Sequence, residues 1–155
     1  MMEMIKKIPH KWVSWAVISL AVVGLGIAGY LTYEHFTLSK EIGFCPIFHG
    51  GCNVVLTSKY SAIFWTVPNA ILGMLYYLSI AILTILFLWK KAPLFFKLAA
   101  LLSIFGAGFS IYLLYVQAVL IGQFCFYCVS SAIISILIFL IEIPFLAHTL
   151  KKKEI

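Results

Sequence analysis

FWTVPNAILGMLYYLSIAILTILFLW, the stretch from Phe64 to Trp89, decides the fold class because it contains no charged side chain. About 20 successive apolar residues are enough to cross a bilayer as a helix. Three further runs of the chain have the same character. The four predicted spans are roughly Trp12–Tyr33, Phe64–Trp89, Pro93–Ile121 and Cys125–Ala147.

The composition excludes a soluble domain. Of the 155 residues, 64% are hydrophobic and 10% are charged, and the mean hydropathy is +1.11. A typical soluble domain has about 25% charged residues, and one of this size has too little interior for so much apolar surface. Lipid must therefore act as the solvent, and because backbone polar groups in lipid have to be satisfied within the segment, each run should be helical.

We therefore expect an all-α membrane protein, a bundle of four transmembrane helices that forms a single domain over residues 1–155. The predicted helices span about 12–33, 64–89, 93–121 and 125–147. The outer loop, residues 34–63, is long enough to be functional, and Asn53–Tyr60 is predicted to form a short lid helix. Glycines on the helices predict close packing, and Glu142 is expected to snorkel to the membrane interface.

Lysine placement predicts the orientation. The formal net charge of +6 does not indicate nucleic-acid binding, because the lysines form short clusters beside apolar runs. With four spans, one side of the membrane receives Lys6, Lys7, Lys11, Lys90, Lys91, Lys97, Lys151, Lys152 and Lys153. The other side receives Lys40 and Lys59. Since cytoplasmic segments carry the excess of lysine, we expect both termini in the cytoplasm and the cysteines at the outer face of the cell membrane.

The four cysteines form two pairs, CPIFHGGC at residues 45–52 and CFYC at residues 125–128. Gly50 and Gly51 allow the loop to bend so that Cys45 and Cys52 can meet. Cys125 and Cys128 stand one helical turn apart at the start of the fourth helix, where the helix N-terminus stabilises a thiolate.

This spacing leaves three alternatives open. Two structural disulfides are possible, although a bond within one helical turn constrains little. A metal site with four thiolates or His49 as a ligand is the second. The third is a redox relay in which thiol–disulfide exchange passes electrons from the loop pair to the CxxC pair.

The neighbouring residues favour the relay. The runs CNVVLTSKY (52–60), FWTVPNAILG (64–73) and CFYC (125–128) resemble, in this order, the vitamin K epoxide reductase family. The resemblance covers nearly the whole chain and implies a four-helix core. It also implies a thioredoxin-like partner that gives electrons to the loop pair, and a quinone in the bundle that receives them from the CxxC pair.

Carried over by position, the resemblance assigns a role to each candidate residue. Cys45 would face the partner, Cys52 would attack Cys125, and Cys128 would lie beside the quinone ring. Three further positions resemble residues around the quinone, namely Ser58, Tyr60 and Phe64. Asn69 looks like the family's asparagine that hydrogen-bonds a quinone oxygen. No metal is expected.

The chain departs from the family pattern in two ways. Ala132 stands where the vertebrate enzymes have a tyrosine, four residues after the second CxxC cysteine. Many bacterial members also carry a fused thioredoxin-like domain, which is not expected here, so a separate redox partner is implied. The predicted function is a thiol oxidoreductase that supports disulfide formation with ubiquinone, menaquinone or vitamin K as acceptor. Vitamin K epoxide reduction is the alternative, and a non-enzymatic membrane protein is the remote one.

Overall fold

A computed structural model of the chain describes residues 10–37, 51–63 and 67–153. Five helices are found in these ranges: α1 (His10–Thr37), α2 (Gly51–Thr57), α3 (Asn69–Lys90), α4 (Pro93–Tyr115) and α5 (Phe126–Lys153). A π-helical segment, Val116–Ile121, continues α4. Two short antiparallel strands, β1 (Ala62–Ile63) and β2 (Val67–Pro68), precede α3.

Four of these helices are long and apolar enough to cross a membrane, which confirms the predicted fold class. The candidate spans are Lys11–Thr37, Asn69–Lys90, Pro93–Ile121 and Phe126–Ala147. The short lid helix is also present, as α2, although it begins two residues before the predicted Asn53. In the bundle, α3 packs on α1 and α4, and α5 packs on α4 and α1, while α2 contacts α5 and the π-helical segment.

The start of α3 differs from the sequence-based expectation. The second helix was expected from Phe64, but Val67 and Pro68 are extended and pair with β1. Pro68 has φ −57° and ψ 134° and precedes the first helical residue, Asn69. Its ring fixes φ and removes the backbone donor, while its ψ belongs to extended backbone. Residues 64–66 lie outside the described residues.

The turn between α3 and α4 is short and well capped. Lys91 adopts the left-handed conformation with φ 51°, and its N–H donates to the Phe87 carbonyl at 2.9 Å. Pro93 then stands at the start of α4, where its missing N–H costs nothing. This tight connection makes the second and third spans antiparallel neighbours.

Two consecutive tyrosines of α3 fix the packing of the bundle. The Tyr77 ring lies against Gly24 of α1, and the Tyr76 ring lies against Gly106 of α4, so closely that a Cβ at either glycine would overlap the ring. The Tyr77 hydroxyl donates to the Ser131 carbonyl on α5 at 2.6 Å. The two glycines therefore make room for aromatic rings, which agrees with the predicted close packing at these positions. At Gly26 and Gly108 the prediction was wrong, because an added Cβ there meets no atom within 4 Å.

Glu142 does not snorkel to the interface, so that expectation was wrong. Its side chain is 1% exposed and lies within the fourth span. The reason is its helical position, since Ile138, one turn earlier on α5, is also fully buried in the core. The carboxyl group therefore faces the other helices of the bundle.

Candidate functional site

Cys125 caps the N-terminus of α5. Its carbonyl accepts the hydrogen bond from the Val129 N–H at 2.9 Å, which is the first intrahelical bond of α5. Its sulfur accepts hydrogen bonds from the backbone N–H groups of Tyr127 and Cys128. These are the donors that a serine or aspartate cap satisfies at other helices. The Cys125 thiol therefore lies at the N-terminus of α5, which is the positive end of the helix dipole.

The two CxxC thiols are free and interact with each other. A hydrogen bond from the Cys128 thiol is the largest influence on Cys125 and lowers the pKa of Cys125 below its ordinary value, against the opposing effect of burial. The backbone N–H groups of Cys128 and Tyr127 lower this pKa further. Because the thiolate is the nucleophile in disulfide exchange, Cys125 is the activated member of the pair.

Gln117 is a site residue that the sequence analysis missed. It belongs to the π-helical segment and is 3% exposed, and its Oε1 accepts a hydrogen bond from the Cys125 N–H at 2.9 Å. Single π-helical turns are frequent at functional sites. Gly122, with φ 70°, then reverses the chain toward the CxxC pair. A polar residue in an apolar run shortly before this turn was the available signal.

Cys52 lies next to the CxxC pair in the fold. Its side chain and that of Cys125 are both fully buried in one apolar cluster with Leu31, Val55 and Leu56. Cys52 is disulfide-bonded, whereas Cys125 and Cys128 are free. The short helix α2 thus brings a loop cysteine to the start of α5. Cys45 lies outside the described residues, as does His49.

A cavity of about 630 Å³ opens beside Cys128. All four long helices contribute to its wall, together with α2 and the π-helical segment, and most of the lining side chains are apolar. Its volume lies within the range of sites that hold a small organic molecule, about 300–1,000 Å³. Cys128 lines this cavity whereas Cys125 stays behind it, so the two thiols face different surroundings.

Asn69 joins the lid to α3 at the cavity. Its Nδ2 donates to the Tyr60 carbonyl at 2.8 Å, and its backbone N–H donates to the Ser61 carbonyl at 2.9 Å. The Tyr60 carbonyl requires a donor, which fixes the orientation of the amide. Asn69 Oδ1 is buried and has no hydrogen-bond partner among the described residues. Nδ2 has a second N–H besides the one donated to Tyr60, so the expected donation from Asn69 to a quinone oxygen stays a prediction.

Ser58 and Tyr60 also line the cavity. The Ser58 hydroxyl donates to the Val55 carbonyl at 2.8 Å, so its proton is committed to the end of α2. Lys59 lies over the Tyr60 ring, with Nζ 5.0 Å from the ring centroid. The predicted aromatic position Phe64 lies outside the described residues.

Two further features shape the cavity. Ala132, the position that departs from the vertebrate pattern, is 5% exposed and forms part of the wall, so a tyrosine there would take up cavity space. A second, apolar groove of about 570 Å³ runs between α3 and α4 and shares Ser79, Leu102 and Phe105 with the cavity. The cavity therefore adjoins a groove on the outer surface of the bundle.

The described residues hold no cluster of three or more His, Cys, Asp or Glu side chains that could bind a metal ion. The site consists instead of two interacting thiols at a helix N-terminus, a buried third cysteine and an apolar cavity.

These features define a multi-pass membrane protein with a buried CxxC centre. Residues 15–143 match the vitamin K epoxide reductase family, and the chain belongs to that family. It is 33% identical over 121 residues to the "Thiol-disulfide oxidoreductase LTO1" of Arabidopsis thaliana. That match covers 74% of this chain and 31% of the plant protein, so the chain spans less than a third of this relative's length.

Proposed function

We propose that this protein is a membrane thiol oxidoreductase that passes electrons from a thioredoxin-like protein through its two cysteine pairs to a quinone. The net result would be a disulfide in the partner and a quinol in the membrane. The observation that carries the proposal is the position of Cys128, a free thiol on the wall of a mostly apolar cavity and hydrogen-bonded to a second, activated thiol. The family and the plant thiol-disulfide oxidoreductase support the thiol chemistry.

The residues at the cavity suit a quinone and its quinol. A quinone is a flat apolar ring with two oxygens, which an apolar pocket with few polar groups accommodates. Asn69 lines the cavity, and its Oδ1 has no hydrogen-bond partner among the described residues; a quinol hydroxyl is a donor that would satisfy it. The groove between α3 and α4 offers an apolar path for a lipid tail. When bound, the quinone would supply a two-electron acceptor beside Cys128.

Each cysteine then has a distinct task. Reduction of the loop disulfide by the partner at Cys45 would free the Cys52 thiolate, which lies in the same buried cluster as Cys125. Attack of Cys52 on an oxidised Cys125 would move two electrons to the CxxC pair. The structure has Cys52 in a disulfide and both CxxC thiols free, which corresponds to the state after that transfer. Cys125, as thiolate, would then close the disulfide with Cys128 as electrons leave Cys128 for the cavity.

The proposed setting is a cell membrane with the cysteines at the outer face. Lysines flank the ends of the bundle remote from the cysteines, and such residues remain preferentially in the cytoplasm. Outside the cytoplasm disulfides persist, so a partner oxidised there would retain its new disulfide. The proposed partner is a separate thioredoxin-like protein.

Quinone reduction by the purified protein, with a small dithiol as donor, tests the proposal. We expect turnover that requires Cys125 and Cys128. A vitamin K epoxide should be assayed beside the quinone, because epoxide turnover at a similar rate would favour the alternative activity. If serine variants of all four cysteines retain full quinone turnover, the relay is wrong.

The partner is tested by trapping. In a Cys52→Ala variant Cys45 is a free thiol, which can attack the disulfide of an oxidised thioredoxin-like protein and displace one of its thiols. Because Cys52 is then absent and cannot release Cys45, a covalent complex with that protein should accumulate. Absence of the complex, with wild-type turnover by small dithiols intact, would contradict the proposed donor but leave quinone reduction standing.

A further inference from the structure

Glu142 is a buried acid that the proposed thiol chemistry does not use. Its side chain is 1% exposed, and Oε2 has no hydrogen-bond partner among the described residues. A buried polar group without a partner destabilises the folded state, and ionisable groups inside a membrane span commonly belong to proton or ion pathways. The position therefore calls for a functional explanation.

Glu142 continues a line of polar side chains that begins at the redox centre. Cys128, Ser131, Ser135 and Glu142 are spaced at i, i+3, i+7 and i+14, so they share one face of α5. With a rise of 1.5 Å per residue, Glu142 lies roughly 20 Å along the helix from Cys128. The first three residues line the cavity. Glu142 therefore lies about two turns beyond the last of them.

Tyr76 connects the cavity with the acid. It lines the cavity, and its hydroxyl oxygen accepts a hydrogen bond from Ser135 Oγ at 3.3 Å. The same phenol group is close enough to Glu142 to interact with it electrostatically. Hydroxyl groups can receive a proton on one side and release another on the other, and Ser135 and Tyr76 form a hydrogen-bonded pair of such groups between the cavity and the acid.

The groups around the carboxyl come from the other helices. Ser103 of α4 hydrogen-bonds it, and Tyr76 of α3 faces it. The described lysines at this end of the bundle include Lys11 on α1, Lys90 and Lys91 at the end of α3, Lys97 on α4 and Lys151 on α5, and all of these are less buried than the acid. The acid is thus set among hydroxyl groups, with lysines nearer to the solvent.

We propose that Glu142 carries protons between the cavity and the solvent at the end of the bundle remote from the cysteines. This inference rests on the proposed quinone reduction. Two thiols that form a disulfide release two electrons and two protons, and quinol formation consumes the same numbers. One proton would reach the cavity from the Glu142 carboxyl through Tyr76 and Ser135, and the carboxylate would regain a proton from the remote solvent. Of the two thiol protons, one would go to the quinone as its second proton and the other would leave at the cysteine end, so that atoms and charge balance.

The state of the carboxyl can be measured without a quinone. A hydrophobic carbodiimide reacts with protonated acids in apolar surroundings, and mass spectrometry locates the adduct. We expect labelling at Glu142 that decreases as the pH rises. No labelling at any pH would show that the acid is not protonated in an accessible form and would overturn the relay.

Sided proton uptake provides the decisive test. Vesicles hold the protein with its cysteine end outward, and a trapped dye reports the luminal pH while an external dithiol drives reduction of a short-chain quinone. Wild-type turnover should make the lumen alkaline. Glu142→Gln should abolish luminal uptake and slow turnover about 100-fold, the order of a general-acid contribution. Tyr76→Phe, which keeps the ring over Gly106, should have the same effect if Glu142→Gln fails to fold.

Thr84→Val is the matched control. Thr84 is also buried, and among the described residues its hydroxyl donates to the Ile80 carbonyl of its own helix. This variant should keep wild-type turnover and luminal uptake. Wild-type turnover without luminal alkalinisation, or Glu142→Gln behaving like Thr84→Val, would overturn the relay but not the proposed function. Absence of wild-type quinone turnover would instead refute the proposed function, and the relay with it.

Discussion

The two halves of the bundle are held together in different ways. The half remote from the cysteines has a closely packed core in which Val17, Ala21, Ile80 and Ile138 are buried. The half near the cysteines contains the cavity, and its buried cluster is smaller. Side-chain to backbone hydrogen bonds support it, from Asn69 to the lid and from the CxxC turn to Gln117. In the half that contains the cavity, hydrogen bonds therefore provide part of the stabilisation that close packing provides in the other half.

The largest expected effect lies in the cavity half. Cys128→Ser should reduce dithiol-driven quinone reduction to background, because it removes the thiol on the cavity wall and the partner of Cys125. The measurement is quinone absorbance over time with purified protein. Cys45→Ser is the control and should retain dithiol-driven turnover, since a small dithiol can bypass the outer cysteine. Full activity of Cys128→Ser would remove the cavity from the mechanism.

In the packed half, the expected effect is on stability. Gly24→Ala places a methyl group in the Tyr77 ring, and such overpacking typically costs about 1–3 kcal/mol. Thermal unfolding in detergent should show a lower Tm. Gly26→Ala is the matched control two residues away, because an added Cβ there meets no atom within 4 Å. Equal Tm values for the two variants would contradict the ring-over-glycine packing.

A smaller effect is expected from Gln117, which acts through Cys125. The pKa of Cys125 is below its ordinary value, so its thiolate persists to lower pH than that of a cysteine with the ordinary pKa. Gln117→Glu places a negative charge beside this thiolate and should raise that pKa, which moves the rise of alkylation rate with pH toward higher pH. Alkylation by a membrane-permeable maleimide, located by mass spectrometry, measures this shift.

In the same experiment, Gln117→Met tests the loss of the hydrogen bond separately from the effect of an added charge. It removes the acceptor of the Cys125 N–H without adding a charge, so it should slow turnover while leaving the alkylation profile closer to wild type. If Gln117→Glu leaves the pH profile unchanged, Gln117 does not influence the thiol.

The smallest effect is expected at Ser58. Its hydroxyl proton is already donated to the Val55 carbonyl, so the oxygen is left mainly as an acceptor. Ser58→Ala should raise the quinone KM by no more than about tenfold, the scale of one neutral hydrogen bond of roughly 0.5–1.5 kcal/mol. Steady-state kinetics checks this value. A far larger rise in KM would show that the hydroxyl contacts the quinone as a principal donor.

Sequence reasoning captured what depends on local pattern. Apolar run length predicted the four spans, because the bilayer sets a minimum helix length. The short helix at Gly51–Thr57 was also anticipated. The start of α3 was missed, because Val67 and Pro68 are kept extended by strand pairing with Ala62 and Ile63, which lie before the predicted helix.

Features that depend on contacts between helices could not be predicted in the same way. The orientation of the Asn69 amide is set by the Tyr60 carbonyl, which no pattern within α3 reveals. The hydrogen bond between Gln117 and the Cys125 N–H depends on the π-helical segment, which directs the Gln117 side chain toward Cys125. Glu142 was placed at the interface by its distance from the chain end, whereas its spacing from Cys128 would have placed it on the inner face.

The cap at the start of α5 has a consequence for the energetics of electron transfer. Hydrogen bonds that lower the pKa of Cys125 favour its thiolate and so stabilise the reduced form of the pair, whereas an oxidised pair has no thiolate at the helix N-terminus. A dithiol whose reduced form is stabilised has a higher reduction potential, by about 30 mV for each 1.4 kcal/mol. The N-terminus of α5 would thus favour electron transfer from the loop pair to the CxxC pair. The proposed acceptor beside Cys128 would need a reduction potential high enough to oxidise the CxxC pair.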